Sequence, residues 1–164
     1  MTPTIAQWAS AFAQQATSDL KTYQVLEASE LPRCHSLHQL QMATEKIAKA
    51  YRLASEPGAT PQSITQHRLG NFVEAFFRAP RSVERLGLGR YNVTYAKRKL
   101  AGLAHQVEQL APTSDLSKRN AEYPWEVGET VCTPALEEYA DFGARQPQMV
   151  EFLKFLTIAI QDFV

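Results

Sequence analysis

Apolar side chains recur at intervals of three and four residues in several parts of this sequence, the spacing that places them on one face of an α-helix. The first such stripe predicts a helix over about residues 4–28. A second stripe lies between Pro32 and Pro57-Gly58 and predicts a helix over about 34–55. The first stripe consists of Ile5, Trp8, Ala9, Phe12, Ala16, Leu20 and Tyr23.

Three further helices follow from the same pattern. Thr60-Pro61 offers an N-cap followed by proline at the first helical position, and it predicts a third helix that ends at Pro80. A fourth helix is expected over about 90–111 and a fifth over about 147–163. The fifth is apolar around most of its circumference, so it is either central in a bundle or shared with another subunit. Its narrow polar strip consists of Glu151, Lys154 and Gln161.

The segment 112–147 interrupts this pattern with four prolines and two glycines, a density that predicts a long loop without regular helix or sheet. Aromatic side chains indicate that the loop is ordered, because disordered segments are poor in them. The expected fold class is therefore all-α: one domain over 1–164, built as an up-and-down bundle of about five helices with a long ordered loop before the last helix. The loop aromatics are Tyr123, Trp125, Tyr139 and Phe142.

The charge distribution along the chain is uneven, although the 164 residues carry no net charge. Residues 61–120 hold ten basic and four acidic side chains, whereas residues 121–164 hold eight acidic and two basic ones. A basic middle segment is suited to phosphate groups. Opposite charges within one compact domain usually become neighbours, so an acidic end folded against the basic middle is the favoured interpretation.

The N-terminus has no basic segment followed by an apolar run, and the most apolar stretch, Phe152–Ile160, is far shorter than a membrane span. We therefore expect no membrane association and a cytoplasmic location. Cys34 and Cys132 form no CxxC pair, so neither a disulfide scaffold nor a cysteine-rich zinc site is indicated. No local sequence marks either cysteine as an activated nucleophile.

Histidines close to Cys34 raise the question of a metal site. Cys34 and His38 lie one helical turn apart, whereas His35 points elsewhere and no second pair completes a shell of three or four ligands. The sequence therefore predicts no metal and no cofactor. These side chains are interpreted as surface or capping residues.

The second predicted helix also carries a longer motif. Within residues 38–51, starting at Gln41, the sequence reads Gln-x-Ala-x-Glu-Lys-x-x-Lys-Ala. Together with Ala16–Leu20 and the spacing between the first two helices, this run resembles the second-helix signature of HEPN domains. The match covers roughly the first third of the chain. It implies an up-and-down helical bundle, usually a homodimer.

The resemblance also implies a range of functions. HEPN domains are often metal-independent RNases or RNA-binding partners in toxin–antitoxin, defence and RNA-processing systems, and others are non-catalytic modules. Active members carry an Arg, often followed by a polar residue, with a His a few residues later, and two such motifs meet in the dimer cleft. Arg119-Asn120 matches the first two positions, but no His follows within 121–126. Arg98 and His105, with six residues between them, meet the spacing.

On an ideal helix, Arg98 and His105 project within about 20° of each other, almost opposite the apolar stripe of the fourth helix. Tyr91 and Tyr95 share this side. His105 would exchange protons with a ribose hydroxyl or the leaving oxygen, and Arg98 would hold the scissile phosphate. The two tyrosines would stack on unpaired bases. The alternative is an ordinary solvated or dimer-facing side of a helix.

Two more segments are candidates for function. The aromatic residues around Pro124, with Arg119 and Asn120 as polar contacts, form a possible recognition loop for nucleic acid or peptide, and packing of the loop against the bundle is the alternative. Glu45 and Lys46 of the helical signature are interpreted as charges on a solvated helix face.

The expected function is that of a HEPN-like, RNA-associated domain. Its active form would be a metal-independent endoribonuclease that uses Arg98, His105 and Arg119. A degenerate relative would bind RNA without cleaving it, through Tyr91, Tyr95, Arg119 and Asn120. The alternative is a non-enzymatic dimeric module that binds a protein partner such as an antitoxin.

Overall fold

The computed structural model describes residues 2–64, 69–88, 92–113 and 115–164. In this part of the chain the fold is an α-helical bundle with one small antiparallel hairpin, so the predicted all-α class is confirmed. The helices are α1 (Ile5–Glu27), α2 (Arg33–Ser55), α3 (Leu69–Arg78), α4 (Pro80–Arg85), α5 (Val93–Glu108) and α6 (Pro147–Ile160), and the strands are β1 (Trp125–Val127) and β2 (Thr130–Cys132).

The first two helices match their predicted bounds closely. A capping box opens α1: Gln7 N–H donates to Thr4 Oγ1 over 3.2 Å, and Thr4 N–H donates to Gln7 Oε1 over 2.7 Å. α2 begins directly after Pro32, and Gly58, with φ of 76°, turns the chain after it. α2 packs against α1, α3, α5 and α6, which makes it the central element of the bundle.

The core is one continuous cluster of buried side chains contributed by α1, α2, α3, α5 and α6 and by the loop before α6. Its aromatic part joins three helices: the ring centroids of Phe72 and Phe155 lie 5.0 Å apart, and those of Tyr51 and Phe72 lie 5.1 Å apart. Phe152 and Phe155 of α6 are fully buried, so the apolar character of this helix is explained by its own bundle. Aromatic pairs at such distances add to the stabilisation from burial alone.

The prediction of a third helix between Thr60-Pro61 and Pro80 is wrong at its start and confirmed at its end. Residues 61–63 form a turn closed by Thr60, whose Oγ1 accepts the Ser63 N–H over 3.1 Å. Residues 65–68 lie outside the described residues. At the other end, α3 stops at Arg78, before Pro80, as predicted. A separate short helix that was not predicted follows: Ala79 is extended, and Pro80 occupies the first turn of α4. Proline is tolerated there because its missing N–H has no intrahelical acceptor.

The long segment before α6 is ordered, as predicted, but the expectation that it contains no sheet is wrong. β1 and β2 pair with Val127 opposite Thr130, and a two-residue turn connects them. Gly128 is the first turn residue and has φ of 61°, a conformation that tight hairpin turns reserve for glycine. Of the loop aromatics, Trp125, Tyr139 and Phe142 are buried, whereas Tyr123 is exposed.

The acidic end of the chain does fold against the basic middle. Asp162 of the C-terminal turn pairs with Arg85 of α4, and Glu151 of α6 accepts from Lys99 Nζ of α5 over 2.8 Å. Lys154 of α6 donates to the Leu86 carbonyl over 3.1 Å. The favoured interpretation of the charge distribution is therefore confirmed, and much of the basic segment is neutralised within the chain.

Among the helices in the described part of the chain, none combines the length and the apolar character that a membrane crossing requires.

Candidate functional site

The outer side of α5 carries the side chains that the sequence singles out for chemistry. Tyr95 is 61% exposed, the His105 side chain is 64% exposed, and Arg98 between them is also exposed. The opposite side of α5 is buried through Leu100, Leu103, Ala104 and Val107. The predicted division of this helix into a buried side and an exposed side that carries Tyr95, Arg98 and His105 is therefore present. Tyr91 lies outside the described residues.

Arg98 differs from the other basic side chains of α5. Lys97 pairs with Glu74 over 2.5 Å, and Lys99 pairs with Glu151, an interaction that raises the pKa of Lys99. Arg98 forms no ion pair or hydrogen bond with the residues that the structure describes. Its guanidinium is therefore a positive charge available to an anion.

Arg98 and Tyr95 line the same shallow depression, of about 310 Å³. We call it the α5 depression; its other lining residues are Lys99, Gly102, Leu103, Gln106 and Gln148. Exposed Gly102 leaves the middle of this surface free of side-chain bulk, because a Cβ built there meets no atom within 4 Å. A flat group can therefore approach the helix backbone between the guanidinium and the imidazole.

His105 lies about 10 Å along the helix axis from Arg98, because it is the seventh residue after Arg98. Its Nε2 is 3.1 Å from the Gln109 amide nitrogen, and its Nδ1 is 3.8 Å from Glu108 Oε2. The two residues share a helix side but do not contact each other. Within a single chain, Arg98 and His105 therefore lie along one side of α5 without meeting at one point.

Arg119 is held by acidic residues of the loop before α6. Its guanidinium donates to Asp141 Oδ2 over 2.7 Å and to Glu137 Oε1 over 3.3 Å, and it lies 5.2 Å from the centroid of the Tyr139 ring. Burial would lower the pKa of Arg119, but the two carboxylates outweigh that effect and raise it. The charge of Arg119 is therefore largely compensated within the loop.

Asn120 is buried and stabilises this loop through hydrogen bonds. It is 4% exposed, its Oδ1 accepts the backbone N–H groups of Glu122 and Tyr123 over 2.9 and 2.7 Å, and its carbonyl accepts the Tyr139 hydroxyl over 2.6 Å. Such an Asx-type turn consumes the side-chain oxygen. This placement contradicts the expectation that Asn120 contacts nucleic acid, because its side chain is committed to the loop.

A larger cleft, of about 820 Å³, adjoins the α5 depression. We call it the Arg119 cleft. Gln106 lines both cavities, and Gln109, the partner of His105, lines the Arg119 cleft. Tyr95 and Arg98 therefore line one of two cavities that share Gln106, Arg119 lines the other, and His105 contacts Gln109 of the second cavity. Other lining residues of the Arg119 cleft are Glu108, Leu110, Ala111, Pro112, Thr113, Lys118, Asp141 and Phe142.

The interpretation of Glu45 and Lys46 as solvated charges is wrong. Glu45 is buried, at 8% exposed, and pairs with Lys49 over 2.5 Å, while Lys46 reaches across to Asp19 of α1 over 2.5 Å. Gln15 also donates to Asp19, over 2.9 Å. The Lys46–Asp19 pair joins α2 to α1 and favours one register between them, because each charge would be costly to bury without its partner.

His38 has a contact that the sequence does not reveal. Its Nδ1 lies 2.9 Å from Glu122 Oε1, which joins α2 to the loop after Arg119. Cys34, one turn earlier, is buried, and burial raises the pKa of its thiol. The expectation of a surface or capping residue is therefore wrong for Cys34, whereas His38 is partly exposed. His38 and Glu122 are 84 positions apart in the sequence, so no local pattern could indicate the pair.

Among the described residues, no group of three or more His, Cys, Asp or Glu side chains is arranged to hold a metal ion. No family model, curated protein or solved structure matches the chain.

Proposed function

We propose that this chain is a HEPN-like, RNA-associated domain that binds single-stranded RNA along the outer side of α5. The observation that carries the proposal is the exposed guanidinium of Arg98, which has no ion pair or hydrogen bond within the described ranges, beside the exposed ring of Tyr95 in the α5 depression. The guanidinium would hold a phosphate, and the ring would stack on an unpaired base. The neighbouring basic side chains of α5 are paired with acidic residues, so the proposed RNA contact is confined to this depression.

In a single chain, the outer side of α5 is suited to binding RNA more than to cleaving it. RNA hydrolysis by this route needs a proton-transfer group and a phosphate-holding cation at the same phosphate. Arg98 and His105 lie along the helix without touching each other, and Arg119 is occupied by Glu137 and Asp141. A homodimer that brought a second copy of the α5 side opposite the first would supply the missing convergence, and nuclease activity would then depend on dimer formation.

Fluorescence anisotropy with a short labelled single-stranded RNA at low salt tests the proposal. Tyr95→Ala should weaken binding by about 1–3 kcal/mol, the range for a lost stacking contact. Arg98→Ala should lower the dependence of log affinity on log salt by about one unit. The matched control is Arg81→Ala, which removes another exposed arginine that has no ion pair among the described residues. Equal losses in the two arginine variants would contradict a site on α5.

Cleavage is tested separately. Wild-type protein and His105→Ala are incubated with the same RNA in EDTA, and light scattering establishes the oligomeric state. Cleavage that is lost in His105→Ala would make the domain a metal-independent nuclease; binding without cleavage would make it a degenerate RNA-binding relative. Cleavage that persists unchanged in His105→Ala would remove His105 from the site.

A second function is favoured by a different observation. The hairpin and the turn after it expose Val127, Val131 and Leu136, the last at 85%. These exposed apolar side chains are available for contact with a protein partner. If the wild-type protein binds no RNA at low salt, the RNA proposal fails, and a non-enzymatic module that binds a protein partner such as an antitoxin takes its place.

A further inference from the structure

A groove on another side of the molecule contains the His38–Glu122 pair. It has a volume of about 700 Å³ and lies between the start of α2 and the loop segment 121–124, with residues 133–135 along its edge. Most of its wall is apolar or aromatic, including Leu26, Leu31, Tyr123 and Pro134. We call it the His38 groove.

The proton positions on His38 follow from its partner. Glu122 Oε1 lies 2.9 Å from His38 Nδ1, and a carboxylate this close favours the tautomer with the hydrogen on Nδ1. In the neutral imidazole, Nε2 is then the proton acceptor. No hydrogen bond occupies Nε2 within the described residues. The side chains of His38 and Glu122 are 31% and 27% exposed, so the pair is accessible without being fully solvated.

Glu122 is itself held in position. Asn120 Oδ1 accepts the Glu122 N–H over 2.9 Å, and the buried Tyr139 hydroxyl donates to the Asn120 carbonyl over 2.6 Å. Tyr139 has φ of 47°, the one positive φ of a non-glycine residue in the described ranges. Such backbone strain persists only where the surrounding contacts enforce it. The loop is thus fixed by several contacts, and it presents the carboxylate to His38.

An imidazole with one nitrogen fixed by a carboxylate and the other open to a cavity is the arrangement of a general base. Cys34 also lines the groove, but burial raises the pKa of its thiol, so a thiolate nucleophile is disfavoured there. The nucleophile must therefore come from the solvent or the ligand. Gln39 and Thr133 lie in the groove wall and carry donors for a developing oxyanion.

The wall chemistry limits the ligand. Among the described residues that line the groove there is no lysine or arginine, and Glu122 contributes a negative charge. Phosphates and carboxylates are therefore disfavoured. An uncharged molecule with an apolar or aromatic body and a carbonyl group fits the wall and the base together.

We propose that the His38 groove is a hydrolytic site for small uncharged esters, with His38 as general base and Glu122 as its positioning residue. His38 Nε2 takes a proton from a water molecule whose oxygen attacks the ester carbonyl carbon. The bond from that carbon to the alkoxy or aryloxy oxygen breaks, and the imidazolium returns the proton to the leaving oxygen. Water and ester thus yield a carboxylic acid and an alcohol or phenol. This site is independent of RNA binding on α5.

Hydrolysis of p-nitrophenyl acetate, followed by release of p-nitrophenolate, is the first test. Wild-type protein should exceed the buffer blank, and His38→Ala should lower the protein-dependent rate by about 100-fold or more. Glu122→Gln keeps an acceptor for Nδ1 and removes the charge, so it should lower the rate by about tenfold or more. The matched control, Glu129→Gln in the exposed hairpin turn, should leave it unchanged. A wild-type rate equal to the blank, or to that of His38→Ala, overturns the proposal.

Modification by diethyl pyrocarbonate tests the imidazole in the wild-type fold, so it does not depend on whether His38→Ala folds. Peptide mapping measures the rate at each histidine. His38 should react faster than His35, which is exposed and lies in the same groove, and Glu122→Gln should slow His38 alone. A His38 rate no higher than that of His35 overturns the general-base role.

Discussion

Arg119 and Asp141, 22 positions apart, form an ion pair of 2.7 Å that connects the basic middle of the chain to its acidic end. Glu137 approaches the same guanidinium at 3.3 Å, and the Tyr139 ring lies beneath it. The positive charge of Arg119, which would otherwise face the Arg119 cleft, is therefore largely neutralised within the loop. Acidic residues of the chain compete with any phosphate for Arg119.

Release of Arg119 should strengthen RNA binding. In Glu137→Gln/Asp141→Asn the guanidinium keeps polar neighbours but loses both counter-charges, so it becomes available to a phosphate. We expect higher affinity for single-stranded RNA and an increase of about one in the salt dependence, measured by anisotropy over a salt series. Glu129→Gln/Glu138→Gln makes the same change of net charge at exposed sites. Equal gains in the two double variants would assign the effect to net charge and exclude a contact by Arg119.

Removal of one partner of the Lys46–Asp19 pair should destabilise the fold, because the other charge would remain enclosed without its partner. Lys46→Met leaves the carboxylate of Asp19 enclosed between α1 and α2 without its cation, and we expect a loss of about 3 kcal/mol in the free energy of unfolding. Asp19→Leu/Lys46→Met removes both charges and should recover most of that loss. Urea unfolding followed by circular dichroism measures both variants.

Lys21→Met is the control for that series, because Lys21 is an exposed lysine of α1. It should change the free energy of unfolding by less than about 0.5 kcal/mol. A Lys46→Met protein as stable as Lys21→Met would show that water reaches Asp19 and that the charges do not fix the helix register.

The two cysteines should differ strongly in reactivity. Cys34 is buried in the core and burial raises the pKa of its thiol, whereas Cys132 is partly exposed on β2. Since the thiolate is the reactive form, iodoacetamide should alkylate Cys132 more than about tenfold faster than Cys34 under native conditions. Mass spectrometry of wild type and Cys132→Ser gives the two rates. Similar native rates would mean that α2 opens at its first turn.

Periodicity predicted the elements that are long and bounded by clear breakers. α1 and α2 satisfy both conditions, since Pro32 and Gly58 separate them from their neighbours. Pro80 marked the end of the third helix correctly, but the short helix α4 that begins with it was missed, because proline is also favoured in the first turn of a helix. The hairpin was missed because its strands have three residues each, too few for alternation to be recognised.

The site was predictable only where it lies on one helix. Tyr95, Arg98 and His105 share a side of α5 because helical geometry requires it. The partners of Arg119 come from a loop, and loop contacts follow from tertiary structure that no period encodes. For the same reason His38 and Glu122 carried no signal. Glu45 was misjudged because a charge on a helix is usually solvated, whereas here Lys49 and Gln41 beside it help to make its burial tolerable.

Alkaline pH should destabilise the protein through three buried tyrosines. Burial raises the pKa of Tyr51, with a further rise from its hydrogen bond to Asp162, and it raises the pKa of Tyr23 and Tyr139 as well. A pKa that is higher in the folded state means that the unfolded chain loses its phenolic protons first. The resulting stability is therefore complete below the ordinary tyrosine pKa of about 10 and is lost as pH rises towards the folded values.

Denaturant unfolding at successive pH values measures this loss. Above about pH 10, each such tyrosine should contribute up to about 1.4 kcal/mol per pH unit to the decline in the free energy of unfolding. Tyr51→Phe removes one ionisable group, so its decline should be shallower by that amount, although the variant is less stable at neutral pH because Asp162 loses a donor. Tyr123→Phe, at an exposed position, should keep the wild-type slope. If Tyr51→Phe also keeps the wild-type slope, the Tyr51 hydroxyl ionises as readily in the folded chain as in the unfolded one, and its bond to Asp162 does not hold the phenolic proton.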